Sequence, residues 1–381
     1  MDWSIFEHEP GRSLEQALIE DPEDREAWSV YADYVSGHEP LLAERIMLEL
    51  QRDASGGEDY LRWQQRLDAF DLEARGKWLG PRLRKLFDNH KQTPPGVDLV
   101  WRRGFIDGLR IVGHALASQT TPKLVLERVL QSPISRFMSK LRLDLDERNR
   151  HEREAVASFI RAASPRQAMQ ELSLRDSRGC VRVDEVMAWA PSARGMVVEG
   201  QLDAGAGIRH EHLRQLRLST HEAGFEETIE HPLELPQLRE LELSRSAYRD
   251  RELLACIERM LAGARLERLE RLRVQLDRSS RTDALLALLR VGGWLEQLRL
   301  LELGSLGEDP DQVMRVFEPS MPGRKYALRL RVSGHGLTKH HVERLASWGV
   351  ELVVERFHDW QEGLAKMGPL QVAAGSWGDE A

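Results

Sequence analysis

Along most of the chain an apolar–polar–apolar unit built on leucine returns every 20 to 32 residues. The copies are Leu109-Arg110-Ile111, Leu141-Arg142-Leu143, Leu172-Ser173-Leu174, Met196-Val197-Val198, Leu216-Arg217-Leu218, Leu241-Glu242-Leu243, Leu272-Arg273-Val274, Leu301-Glu302-Leu303, Leu328-Arg329-Leu330 and Leu352-Val353-Val354. Alternation with period two marks a strand with one buried face. Four copies extend backwards to L-x-x-L-x-L, beginning at Leu213, Leu238, Leu269 and Leu298. Between copies the apolar residues change to helical spacing. Examples are Ala155, Val156, Phe159 and Ile160; Leu253, Leu254, Ile257, Met260 and Leu261; and Leu285, Leu286, Leu288 and Leu289. A parallel strand pair needs a crossover of a dozen or more residues, so the period and the element order agree on an α/β chain with one strand and one helix per repeat.

The L-x-x-L-x-L copies resemble the leucine-rich-repeat family over roughly residues 105–356. The resemblance implies a solenoid with a parallel sheet on the concave side and helices on the convex side, similar to the longer, helix-backed repeats of ribonuclease-inhibitor-type proteins. The family pattern usually continues to an asparagine that satisfies turn backbone groups. Here that place is held by His221, Ser246, Asp277 or Leu306, so the asparagine ladder is missing and less regular loops are expected. A second resemblance covers residues 13–51. The run from Leu14 to Asp24, with Asp21-Pro22, leads into Trp28, Tyr31-Ala32-Asp33-Tyr34 and the segment Glu44–Gln51. It looks like the small repeat-companion domain found ahead of leucine-rich repeats in bacterial proteins. That implies a bacterial origin and co-occurrence with repeats, and no activity.

The residues of this segment independently predict helices. Asp21-Pro22-Glu23 reads as an N-cap with proline at the first helical position. Trp28, Tyr31 and Val35 then share one helix face, and Gly37 ends it. Residues 43–52 and 60–87 predict further amphipathic helices, and Lys91–Gly96 is a turn. Trp101-Arg102-Arg103-Gly104-Phe105 reads as a hairpin-like lead-in to the first repeat strand. The expected organisation is an all-α capping module over 1–96, a solenoid over 97–356, and a C-terminal cap with a loose tail over 357–381, since a repeat array needs covered ends.

Charge sharpens this division. Residues 1–100 hold 12 Lys/Arg against 21 Asp/Glu, and the remainder holds 42 against 41. The N-terminal module is acidic and the rest is neutral but densely charged, so the global basic footprint of a nucleic-acid binder is missing. No apolar run approaches the roughly 20 residues needed to span a bilayer. The N-terminus lacks the basic and apolar regions of a secretory signal, so a cytoplasmic location is expected. The two cysteines, Cys180 and Cys256, are far apart and predict buried apolar residues rather than a disulfide or metal framework.

Catalytic constellations are not found: there is no Walker-type loop, no G-x-S-x-G elbow, no H-E-x-x-H and no paired C-x-x-C. His335, His340 and His341 form the nearest metal-like cluster. Neighbouring helix positions point about 100° apart, so His340 and His341 read as a solvated helix start. Glu308-Asp309-Pro310-Asp311 likewise reads as a turn and helix N-terminus. No cofactor and no metal site are expected.

The informative surface is the one carrying the middle residue of each L-x-L. From the fifth copy to the ninth these middles alternate in sign as Arg217, Glu242, Arg273, Glu302 and Arg329. Arg142 lies on the same face further back, with Arg175, Arg271 and Arg331 on neighbouring positions. One reading is a ladder of ion pairs that satisfy one another. The other is a charged docking strip for a partner protein, because arginine makes bidentate contacts at interfaces. Ten tryptophans offer further contact residues. Trp28, Trp63 and Trp78 are expected to pack in the helical module, and Trp360 and Trp377 fall in the tail. The leading expectation is a non-enzymatic scaffold or adaptor, in one variant inhibitor- or immunity-like, that grips a partner protein on this strip. The alternative is nucleic-acid binding through Arg110, Arg142 and the Arg102-Arg103 pair. The alternating glutamates and the lack of interleaved aromatics disfavour it.

Overall fold

The computed structural model describes residues 9–78, 96–116, 120–146, 149–176, 182–200, 208–220, 233–245, 257, 261, 264–274, 282–303, 310–321, 327–333 and 337–355. The chain is α/β, with a helical N-terminal region followed by mostly parallel strands. It divides into two compact units, residues 1–174 and 175–381. Of the pattern Leu253–Leu261 only Ile257 and Leu261 are described, both buried; both cysteines, His335 and the tail with Trp360 and Trp377 lie outside the described residues.

The first unit opens with four helices, α1 (Glu9–Glu20), α2 (Arg25–Ser36), α3 (Pro40–Ala54) and α4 (Gly57–Trp78). An antiparallel hairpin follows, β1 (Val97–Arg102) and β2 (Phe105–Val112). Then come α5 (Pro122–Leu130), β3 (Lys140–Asp144) and α6 (Arg150–Ala162), with β3 parallel to β2. The predicted face of α2 is buried: Trp28, Tyr31 and Val35 join Leu18, Leu42, Ile46 and Phe105 in one core. Each of the aliphatic side chains contributes about 1.5–3 kcal/mol by leaving water. Phe137 meets Phe105 edge-on at 4.8 Å between ring centroids, and Trp28 meets Tyr31 the same way at 5.9 Å. The Tyr31 hydroxyl donates to Glu15 at 3.1 Å, and Arg136 also pairs with Glu15. Burial, reinforced by the Glu15 charge, pushes the Tyr31 phenol well above its usual pKa.

The start of α2 differs from the expectation. Its N-cap is Asp24, whose carboxylate accepts from the backbone N–H of Glu26 and Ala27 at 2.9 and 3.0 Å. Asp21 and Pro22 form a preceding turn instead. The Pro22 carbonyl is committed elsewhere, accepting from the Trp28 indole at 2.9 Å and the Arg102 guanidinium at 3.0 Å. A helix beginning at Pro22 would have needed that carbonyl for its own first turn.

The hairpin turn is where β-structure meets the helices. Arg103 and Gly104 both have positive φ, 53° and 79°, as a two-residue type I′ turn requires. A side chain on Gly104 would stand 2.7 Å from Leu42 Cδ1, so the turn inserts against α3 with no room for a Cβ. Arg103 is buried in this non-glycine left-handed conformation because two contacts hold it, one of them to a glutamate that is itself fixed. Its backbone N–H donates to Glu49 Oε2 at 2.8 Å, its guanidinium lies 2.8 Å from Asp53, and Glu49 is itself paired with Arg45 at 2.5 Å. Burial alone would raise the Asp53 carboxyl. The hydrogen bond from Arg52 and the charge of Arg103 outweigh it and hold its pKa below the usual range.

Strand β4 (Glu171–Asp176) spans the boundary between the units. The second unit continues with α7 (Val183–Trp189), β5 (Gly195–Gly200), β6 (Gln215–Thr220), β7 (Glu240–Arg245) and β8 (Arg271–Val274). It ends with α8 (Thr282–Val291), α9 (Trp294–Gln297), β9 (Leu300–Leu303), α10 (Pro310–Phe317), β10 (Leu328–Ser333), α11 (Lys339–Ser347) and β11 (Val350–Glu355). Strands β5 to β11 lie side by side in chain order, all parallel. The leucines line up across strands, Leu216 beside Leu241, Leu272 and Leu301, and every one is buried.

A backbone ladder starts strands β6 to β9. The Arg194 carbonyl accepts from the N–H of both Arg214 and Gln215, Arg214 from Arg239 and Glu240, Arg239 from Glu270 and Arg271, and Glu270 from Arg299 and Leu300, all at 2.7–3.1 Å. In the first unit Ser139 does the same for Gln170 and Glu171. These donors are the two middle positions of each L-x-x-L, and the leading leucines Leu213, Leu238, Leu269 and Leu298 are buried beneath them. A second short ladder joins Arg209, Glu234 and Arg265 in parallel bridges. The positions His221, Ser246, Asp277 and Leu306, where the repeat pattern lacks asparagine, lie outside the described residues.

Two histidines are integrated into this unit. His210 is buried, its Nε2 3.0 Å from the Ala190 carbonyl, while its Nδ1 accepts from the His212 N–H at 3.2 Å. That arrangement assigns the proton to Nε2. Burial holds the His210 pKa below its usual value. His341 is not the solvated residue expected of a helix start. It is buried and closes a capping box with Thr338, and its Nε2 lies 2.9 Å from Asp311 on α10. The hydrogen bond from His341 lowers the Asp311 carboxyl pKa. The packing of α11 on α10, invisible in the local pattern, accounts for the difference.

Two measurements check this account. Glu49→Ala leaves the buried Arg45 and Arg103 without their shared carboxylate and is expected to destabilise the first unit by about 3–5 kcal/mol in urea unfolding. His210 is neutral in the folded chain and takes a proton on unfolding below about pH 6.5, so its contribution is full above that pH and is lost as pH falls towards the depressed folded value. Unfolding midpoints at pH 7.5 and 5.5 should therefore separate more for the parent chain than for His210→Gln.

Candidate functional site

The face of β5–β11 opposite the buried leucines carries the middle residues of the repeats. Strand pairing fixes which of them meet, because a two-residue period puts positions in register on the same face. Arg217 stands beside Glu242, Glu242 beside Arg273, and Arg273 beside Glu302, as the repeat alignment predicts. The next copy departs from prediction. Leu301 pairs with Leu330 and Glu302 with Arg331, so the structural L-x-L of β10 is Leu330-Arg331-Val332, two residues later than the sequence alignment placed it. The segment Leu328–Val332 alternates over five residues and permits either frame. The ladder register selects the later one.

The corrected first row reads Val197, Arg217, Glu242, Arg273, Glu302, Arg331, Val353. Its charges form one continuous chain of ion pairs. Arg217 lies 2.7 Å from Glu242 Oε1, and Arg273 lies 3.3 Å from Glu242 Oε2. Arg273 also pairs with Glu302 Oε2, and Arg331 lies 3.3 Å from Glu302 Oε1. Both oxygens of each glutamate therefore contact an arginine. Glu302 is only 7% exposed, and a buried polar group of this kind needs such partners.

Arg271 and Arg329 belong to a second row, one step towards the strand starts: Gln215, Glu240, Arg271, Leu300, Arg329, Glu351. Here the pairs are local and exposed. Arg271 reaches Glu240 at 2.9 Å, Arg329 reaches Glu351 at 2.8 Å, and Gln215 donates to Glu240 at 3.2 Å. Exposed pairs of this type contribute about 0–1 kcal/mol each. Leu300 interrupts the charges between Arg271 and Arg329. Over β8–β11 the two rows enclose an open depression of about 800 Å³, with Leu300 and Val353 among its lining residues.

The remaining predicted site residues lie elsewhere. Arg175 pairs with Glu199 at 2.8 Å. Arg142 belongs to the first unit and lies 3.2 Å from Asp144, which also stands 4.0 Å from Arg110. Arg110 is further paired with Asp98 at 3.6 Å. Of the Arg102-Arg103 pair, Arg103 is buried and Arg102 is held by the Pro22 carbonyl and by Glu23 at 2.6 Å. Each of these arginines has a carboxylate partner within 4.0 Å. Sequence reasoning missed Glu240, Leu300 and Glu351, which stand two residues before the middle positions and share their face. The period-two rule marks them once the register is known.

Among the described residues, no group of three or more His, Cys, Asp or Glu is arranged to hold a metal ion, and no helix is long and apolar enough to cross a membrane. No protein-family model, curated protein sequence or solved structure matches the chain.

The two rows should respond differently to deletion. Glu302→Ala removes the carboxylate that Arg273 and Arg331 share and is expected to cost on the order of 3 kcal/mol in denaturant unfolding. Arg329→Ala should cost less than about 1 kcal/mol.

Proposed function

We propose that the chain is a leucine-rich-repeat-type scaffold without catalytic activity that holds a partner protein on the charged face of β5–β11. The observation that carries this reading is the sheet face itself. It presents two ordered rows of charged side chains, with the helices and the leucine core on its other side. A broad, rigid surface with aligned arginines suits protein recognition, since a guanidinium combines directional donors with a stackable plane. The first row supports rigidity and the second, more exposed row supplies exchangeable contacts. The acidic N-terminal module acts in this reading as a cap, and the protein works in the cytoplasm.

Photo-crosslinking in host extract tests it. A photoreactive residue at position 215 or 300 is expected to give a discrete protein adduct, and the same residue at exposed Val291 on α8 is not. Reversing the exposed Arg217, Arg271 and Arg329 to Glu should abolish the adduct while circular dichroism stays unchanged. Equal crosslinking from positions 291 and 300 would overturn the proposal.

A further inference from the structure

The depression over β8–β11 has a composition that selects a particular ligand. In the second row Leu300 stands where the neighbouring strands carry charge, flanked by Arg271 on one side and Arg329 on the other. The two arginines sit on strands either side of β9, so their Cα atoms are about 10 Å apart. Each is paired with a carboxylate on its far side from the leucine, Arg271 with Glu240 on β7 and Arg329 with Glu351 on β11. The guanidinium groups therefore lean away from each other, and the leucine lies between them.

We propose that this depression takes an acidic, extended segment of the partner in which two carboxylates flank an aliphatic side chain with one residue between each. The inference rests on the partner-binding reading above and names the element bound. Three observations converge on it. Four arginines and three glutamates line the depression, so its balance is cationic. The glutamates of the first row that lie nearest, Glu242 and Glu302, already have both oxygens against arginines, and a basic segment would have to break those contacts. The pairs of Arg271 and Arg329 are solvent-exposed, with side chains 59% and 57% accessible, so an incoming carboxylate replaces or shares the existing one at small cost. The spacing also fits. In an extended chain residues i−2, i and i+2 face one way, and the outer two are about 13 Å apart. That separation matches two arginines that begin about 10 Å apart and lean outwards. The central side chain then falls on Leu300.

Fluorescence anisotropy with labelled synthetic peptides and the full chain tests this. The probe is Ser-Glu-Ser-Leu-Ser-Glu-Ser. The comparisons are its Leu→Ser form, its Glu→Lys form and the same composition reordered as Ser-Glu-Glu-Ser-Leu-Ser-Ser. The probe is expected to bind at least tenfold more tightly than each comparison and to weaken as salt rises. R271Q/R329Q should lose at least tenfold. R290Q/K339Q, which removes the same charge from helices α8 and α11, should stay within twofold of the parent chain. Equal binding of the four peptides, an unaffected R271Q/R329Q, or preference for a single-stranded oligonucleotide over the probe would overturn the proposal. Mapping the photo-crosslink from position 300 separates the two readings. An adduct on a basic or uncharged segment overturns the acidic ligand and leaves the docking face standing, whereas no selective adduct from the sheet face overturns the docking face as well.

Discussion

The carbonyl ladder at the strand starts is the constraint on which the second unit depends. One carbonyl accepts from two successive N–H groups of the next repeat, and this happens at Arg194, Arg214, Arg239 and Glu270 in turn. Buried or half-buried amides must find such partners, since an unpaired one costs about as much as the hydrogen bond it lacks. By setting where each strand begins relative to the last, the ladder decides the register. The register then decides both faces together, because a one-residue slip would turn every leucine outwards and every arginine inwards. Core and candidate site are two consequences of one backbone arrangement.

The same register explains why a sheet face so dense in charge is tolerated. In-register parallel strands stack equivalent side chains about 4.8 Å apart, a spacing at which a column of like charges would repel. Alternation of Arg and Glu converts that column into a chain of ion pairs. Where alternation stops, Val197 and Val353 stand at the ends of the first row and Leu300 inside the second. The exposed pairs add little stability individually. The deeper pairs around Glu302 act by fixing side-chain positions, because a buried carboxylate cannot release its partners without an uncompensated charge.

The first unit solves a different problem, that of joining a helical module to a sheet. Its answer is a strained turn. Arg103 takes a left-handed conformation that costs a non-glycine residue about 1 kcal/mol, and Glu49 and Asp53 on α3 offset this by binding its backbone and its side chain. Gly104 brings the turn against Leu42, and Phe105 follows into the helix core. Helices and hairpin therefore share one core.

Much of this was legible in the chain. Period-two leucines marked the strands, period-3.6 runs marked α6 and α8, and the apolar face of α2 was readable as Trp28, Tyr31 and Val35, because local periodicity reports which side of an element avoids water. The charged middle positions from Arg217 to Glu302 were also readable, since L-x-L dictates that its middle residue faces away from the core. What periodicity could not decide was long-range. Leu328–Val332 alternates in two equally good frames, and only pairing with Leu301 placed Arg331, not Arg329, next to Glu302. Pro22 looked like the first residue of a helix until Trp28 and Arg102 claimed its carbonyl, and His341 looked solvated until α10 covered it. The sequence by itself determined the strands, most of the helices and the face of the sheet each strand residue would occupy. Tertiary structure decided which residues on a face become neighbours, because register and helix packing are settled by hydrogen bonds and contacts between segments far apart in the chain.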